Sequence, residues 1–238
     1  MQDQTNAQDL NERFALVESM IAEGRRSTES WGWVFLLWGV AYCVAIAWAS
    51  WGQGLSVWGS NYVQVGSARI GLAWPVTMIC SVILTLAIGM RKGGGHTGTA
   101  SVRAIVSIWI SVGVAMLLLF PALGASGRLE EHGFVAIVAA MLGVANGASG
   151  LILRWKSQIA CAVVWWIASA FACFGSIAQV TGVFLAAIFL CQIVFGIYAM
   201  ILESRRNRRE IAHARAARSQ SRDSRQAAAG SALAAGRR

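Results

Sequence analysis

GFVAIVAAMLGVANGASGLIL (residues 133–153), RWKSQ (154–158), IACAVVWWIASAFACFGSIA (159–178) and QVTGVFLAAIFLCQIVFGIYAMIL (179–202) follow one another without a break, and the only charged side chains among them are Arg154 and Lys156. Crossing about 30 Å of hydrocarbon takes roughly 20 apolar residues in a helix. The stretch divides into three such runs, 133–153, 159–178 and 181–202. None alternates with period two, as the strands of a membrane barrel would. Lipid offers the backbone no hydrogen-bond partner, so helices, which satisfy their own N–H and C=O groups, are the structure that remains.

Working outward, the upstream chain holds three more runs of the same kind, 31–51, 70–90 and 104–123. Of 238 residues 56% are hydrophobic and 13% charged, whereas a soluble domain carries about 25% charge. Disorder is excluded too, because disordered chains are poor in apolar and aromatic residues, and this one has 11 tryptophans. The expected fold is all-α: a polytopic integral membrane protein with a six-transmembrane-helix bundle at 31–202. It is flanked by an amphipathic helix and linker at 1–30 and by a basic helix extension and disordered tail at 203–238.

Orientation follows from the basic residues. Arg13, Arg25 and Arg26 precede the first run, Arg91, Lys92 and Arg103 lie in the second connection, Arg154 and Lys156 in the fourth, and ten arginines in the tail. The opposite side holds only Arg69 and Arg128. Lys and Arg accumulate in cytoplasmic loops, so both termini are expected in the cytoplasm. The first 30 residues lack a basic start, a short apolar run and a small-residue cleavage site, and no removed signal peptide is expected. Tryptophans agree with these depths: Trp31, Trp33 and Trp155 fall at inner ends, and Trp48, Trp51, Trp58 and Trp74 gather at the outer face. The long connection 52–69 is expected to lie along the outer interface.

The two ends differ in charge. Residues 1–30 carry six acids against three arginines, and residues 203–238 carry three acids against ten arginines. Leu10, Phe14, Val17 and Ile21 recur at helical spacing, which predicts a short amphipathic helix burying them on the inner face of the bundle or the membrane surface. Gly24 is the expected stop, with Ser27 or Thr28 capping the next helix. The basic tail can attract anionic lipid at about 1 kcal/mol per residue near the surface. It can also dock on the acidic N-terminal helix. Nucleic acid is not expected as a partner; the bilayer, a cytoplasmic protein or a second copy of the chain are.

Small residues mark packing faces. Ala139, Gly143 and Gly147 form one four-residue ladder, Ala168, Ala172 and Ser176 a second, and Ala41, Ala45 and Ala49 a third. Such ladders let helix backbones approach closely, within one chain or across a dimer. The very short connections at 154–158 and 179–180 force the last three spans to be antiparallel neighbours. Pro75 and Pro121 mark helix ends or mild kinks.

Chemistry-bearing residues are sparse. Every Asp, Glu and His lies outside the six runs, whereas pumps keep ionisable groups in the membrane. There is no HExxH, no phosphate loop in RKGGGHTGT and no CxxC. No metal or cofactor is expected, and Cys43, Cys80, Cys161, Cys173 and Cys191 read as packing residues. Glu130, Glu131 and His132 read as a solvated helix start. One constellation stands out. Tyr42, Ser81, Ser111, Asn146, Trp165, Trp166 and Gln192 all lie between 8 and 11 residues from the residue that marks the basic side of their run, Trp31, Arg91, Arg103, Arg154, Lys156 or Glu203. At 1.5 Å per residue that is roughly the bilayer midplane. A buried polar layer of this kind acts as interhelical glue, or it lines a pocket for a neutral or weakly polar ligand between the first, fourth, fifth and sixth spans.

No enzymatic activity is expected, since potential nucleophiles such as Cys161 or Ser149 have no ionisable partner in the spans. The reading preferred on sequence is a sensory, regulatory or scaffolding membrane module acting through its cytoplasmic ends. The alternative is a passive carrier or channel for a small neutral solute.

Overall fold

Length and composition make each apolar run a helix. The computed structural model describes residues 2–51, 68–91, 100–126, 128, 130–212 and 215. Among these, seven helices follow in order: α1 (Gln2–Glu29), α2 (Gly32–Ala49), α3 (Ala68–Arg91), α4 (Ala100–Ala125), α5 (Glu131–Ile152), α6 (Lys156–Ala172) and α7, which begins as Ile177–Ile188. α7 widens into one π turn at Phe189–Val194 and resumes, so that its rod runs Ile177–Ala212. The expectations for the connections 52–67 and 92–99, and for the chain beyond Ala212 apart from Arg215, fall outside the described residues.

Among the described residues five helices are long and apolar enough to cross a membrane: Gly32–Ala49, Ala73–Arg91, Ala100–Phe120, Glu131–Ile152 and Ile177–Ala212. The chain is thus all-α and built as a multi-pass membrane protein. The sixth apolar helix, α6, has 17 residues, or about 26 Å at 1.5 Å each. It ends at Ala172 rather than 178 because the chain turns through Cys173–Ser176. Ser176 then opens α7 with a capping box, in which Gln179 Oε1 accepts from the Ser176 backbone N–H at 3.0 Å and from its hydroxyl at 3.1 Å. Gln179, expected in the connection, is therefore the third residue of a helix.

The core is formed by α2, α5, α6 and α7, and the α5–α6 hairpin is the most intimate pair. Phe35, Ile46, Val138, Leu142, Trp165, Phe184 and Ile188 are buried there. α3 and α4 lie on the rim. Ile79, Ile83 and Leu86 on α3 and Leu117 and Leu118 on α4 are each 57–70% exposed, an apolar girdle that water would not tolerate and lipid requires. α2 and α7 cross almost backbone to backbone. A Cβ on Gly32 would lie 2.7 Å from the Gly196 carbonyl oxygen, and a Cβ on Gly196 would lie 2.8 Å from that of Gly32.

α1 departs from expectation at its C-terminal end. It does not stop at Gly24 but runs to Glu29, with Ser27 and Thr28 inside it. Gly24 serves close approach instead, since a Cβ there would lie 3.0 Å from Ser101 Cβ and 3.1 Å from Leu153 Cδ2. Of the two placements expected for the apolar stripe, the bundle face is met by Ile21, which lines a cleft there, but not by Leu10, Phe14 and Val17, which leaves the membrane surface as their other placement. Leu10, Phe14 and Val17 are 54%, 60% and 50% exposed, and Leu16 is 62% exposed beside them.

Candidate functional site

Of the seven residues expected at midplane depth, five are buried: Tyr42, Ser81, Asn146, Trp165 and Gln192. Ser111 is exposed on the rim helix α4, and Trp166 is 46% exposed. Trp166 is nonetheless fixed, because its indole fills the notch left by the missing side chains of Gly143 and Gly147. A Cβ on Gly143 would lie 2.3 Å from Trp166 Cδ1. The ladder on α5 is therefore occupied from within the chain. Ala168 and Ala172 on α6 are buried as well, while Ser176 belongs to the cap of α7.

The five buried residues are held in different ways. Ser81 donates to Thr77 O in its own helix at 2.7 Å, and Thr85 donates likewise to Ser81 O while receiving the Trp38 Nε1 bond at 3.2 Å. The Thr85 hydroxyl thus ties α3 to α2. The Tyr42 ring packs between Trp38 and Trp74, with centroids at 6.2 and 6.0 Å. Gln192 sits in the π turn of α7 beside Gly39, whose added Cβ would fall 2.8 Å from Gln192 Cβ. Asn146 donates to Leu142 O at 2.8 Å, but its Oδ1 finds no partner among the described residues, nor does Trp165 Nε1. An unpaired buried polar group costs about 1–3 kcal/mol, so these two atoms are where a ligand or a water would be rewarded. Between α6 and α7, the Cys191 thiol donates to Cys161 O at 3.6 Å.

The remote end of the bundle is closed by structural bonds. Thr181 donates to Glu131 Oε1 at 3.0 Å, and His132 Nε2 lies 3.0 Å from Gly175 O. Glu131 therefore clamps the start of α5 to α7, and His132 clamps it to the α6–α7 turn. Among the described residues no three His, Cys, Asp or Glu side chains gather as a metal site needs.

The basic end is more open. Here the second half of α1, the α5–α6 turn and the extension of α7 border an open, shallow cleft of about 450 Å³ lined by Glu18, Ile21, Ala22, Arg25, Leu153, Arg154 and Arg206. The turn that supplies its wall has a definite geometry. Trp155 N–H bonds to Gly150 O at 2.8 Å and Arg154 N–H to Leu151 O at 3.2 Å, the two bonds of a Schellman cap. The residue between them normally has left-handed backbone and is normally glycine. Arg154 occupies it, with φ +50°, the only non-glycine residue with positive φ among those described. For a residue with a Cβ that conformation costs about 1–2 kcal/mol.

Aromatic contacts brace the same end. The Arg25 guanidinium lies 5.8 Å from the centre of the Trp155 ring, a cation–π contact worth about 0.5–1 kcal/mol where water has access. Trp155 packs on Phe195, Phe195 on Phe35 and Phe35 on Trp109, with centroids 5.0, 5.0 and 5.9 Å apart. One line of rings thus joins α1, the turn, α7, α2 and α4. Beneath it Gln158 is fully buried with both side-chain polar atoms unpartnered among the described residues, as are Ser149 Oγ and Trp155 Nε1.

In the sequence Arg25 and Arg154 stand out only as orientation signals, Arg206 only as one of ten basic residues in the tail, and Gln158 only as part of the connection 154–158. The residues are 25, 154 and 206 along the chain, so no spacing joins them. The one available hint was a basic residue following GLIL, where a helix stop favours glycine. No family model matches the chain, and no curated protein or solved structure matches it either, so the functional reading rests on this geometry.

Proposed function

We propose that the chain is a six-span membrane protein with both termini in the cytoplasm, and that it is a non-enzymatic sensory, regulatory or scaffolding module acting through that end. The observation that carries the reading is the division of α1. Its last turns, at Gly24 and Arg25, are seated against Ser101, Leu153 and Trp155, while upstream of them Leu10, Phe14 and Val17 share one face and are each half or more exposed, with Leu16 exposed beside them. An apolar helix face held out from a rigid base is the form that helix-in-groove recognition takes. The partner is then a cytoplasmic protein with an apolar groove, with a second copy of the chain or the membrane surface as the other occupants to be separated by experiment. The basic residues around the same end support its cytoplasmic placement.

The test is site-specific photocrosslinking from Phe14 in cells expressing the full chain. A discrete adduct with a soluble protein, lost in Leu10→Glu while the bundle keeps its thermal stability, supports the reading. Adducts confined to lipid, or none at all, overturn it.

A second reading, the passive carrier, is favoured by one observation, the unpartnered Asn146 Oδ1 and Trp165 Nε1 in the bundle interior. Solute flux through proteoliposomes containing only this chain would support it.

A further inference from the structure

We infer that the cleft between α1, the α5–α6 turn and the α7 extension is a binding site for a phosphate group, borne by a membrane lipid headgroup or by a small soluble phosphate compound. Binding there does not require α1 to engage a protein.

Three arginines from three separate elements, Arg25, Arg154 and Arg206, line one open cleft of about 450 Å³. Guanidinium groups are planar forks that pair with phosphate oxygens two at a time and remain charged at any physiological pH. A carboxylate offers two oxygens on one edge, whereas a phosphate offers oxygens on several sides, and this matches donors arriving from different directions. Glu18 is the one acid on the wall. Glu210 sits 4.0 Å from Arg206 Nε along the α7 extension.

Two features go beyond a chance meeting of surface charges. Arg154 holds a left-handed backbone that glycine would adopt without strain. Departures of this kind cluster where a side chain is needed in one place. Arg25 is steadied by the Trp155 ring, which is itself buried against Phe195. The cleft is therefore partly organised before any anion enters, which lowers the cost of binding. Its remaining walls, Ile21 and Leu153, are apolar, suited to the carbon skeleton that carries the phosphate.

The experiment uses the purified full chain in two arms. Inorganic phosphate is titrated in detergent, with sulfate-free buffer and thermal unfolding as readout. In parallel, delipidated protein is offered phosphatidylglycerol or phosphatidylcholine, and bound lipid is counted by native mass spectrometry. The wild-type chain is expected to bind phosphate, phosphatidylglycerol or both, with phosphatidylcholine weaker because its choline neutralises the headgroup. Binding of phosphate alone assigns a soluble source, and binding of phosphatidylglycerol alone assigns a lipid.

Arg154→Gly separates structure from recognition, since it relieves the backbone and removes the guanidinium. It should raise the unfolding temperature of the unliganded protein and weaken binding at least tenfold. Arg25→Gln and Arg206→Gln should each weaken binding several-fold, and Arg154→Lys should fall between wild type and Arg154→Gly. No binding by wild type in either arm overturns the proposal, and so does wild-type affinity in Arg154→Gly. If Arg154→Gly proves unstable, undiminished binding in both Arg25→Gln and Arg206→Gln overturns it instead.

Discussion

Replacing Gly196 by Ala should destabilise the bundle even though alanine is the better helix former. The added Cβ would lie 2.8 Å from Gly32 O and 3.0 Å from Leu36 N, both backbone atoms of α2. Ordinary non-bonded contact begins near 3.5 Å, so the two helices must separate by roughly half an ångström. Overpacking of this kind costs about 1–3 kcal/mol, against a propensity gain of at most about 1 kcal/mol. Gly182 on α7 provides the control, because a Cβ there would meet nothing within 4 Å. Gly182→Ala should be neutral or slightly stabilising. The difference between the two variants isolates the crossing and should be about 1–3 kcal/mol. Equilibrium unfolding in mixed micelles, followed by tryptophan fluorescence, measures it. Equal stability of Gly196→Ala and Gly182→Ala would refute the close crossing of α2 and α7.

Three further outcomes are expected. Gln158 is buried with both polar atoms unpartnered among the described residues, so Gln158→Met should raise stability by about 1–3 kcal/mol in the same unfolding assay, and a loss would reveal a partner. Thr181→Val removes the bond to Glu131 at 3.0 Å and should lower stability by about 1 kcal/mol. Asn146→Leu and Gln192→Leu should fold and leave the Phe14 crosslink intact if the module acts through its ends; abolished solute flux in both, with fold retained, would favour the carrier.

The helices were legible in the sequence because burial in lipid demands long uncharged runs, and these are visible without a structure. Their ends were less so. The α6–α7 turn is written in residues as apolar as the spans, CFG before Ser176, and its only polar mark is the Ser176–Gln179 box. Gly24 looks the same in sequence whether it ends a helix or admits a neighbour. Counting residues from the span ends gives depth but not direction around the helix axis. It therefore grouped Tyr42, Asn146, Trp165 and Gln192, which are buried, with Ser111 and Trp166, which are not. The π turn adds to this, since it shifts the direction of every side chain after Phe189. The arginine cleft was beyond reach, because it depends on where three distant elements meet.

The placement of both ends and of the short helix α6 is tested most directly by cysteine accessibility. On a background lacking the five native cysteines, Ser126→Cys, Lys156→Cys and Ser204→Cys are each treated with a membrane-impermeant maleimide in intact and permeabilised cells. Six spans with cytoplasmic termini require Ser126→Cys to react in intact cells and the other two only after permeabilisation. If α6 did not cross, Lys156→Cys and Ser204→Cys would react from opposite sides, and that result would contradict both the six-span architecture and a cytoplasmic cleft built from α1, the α5–α6 turn and α7.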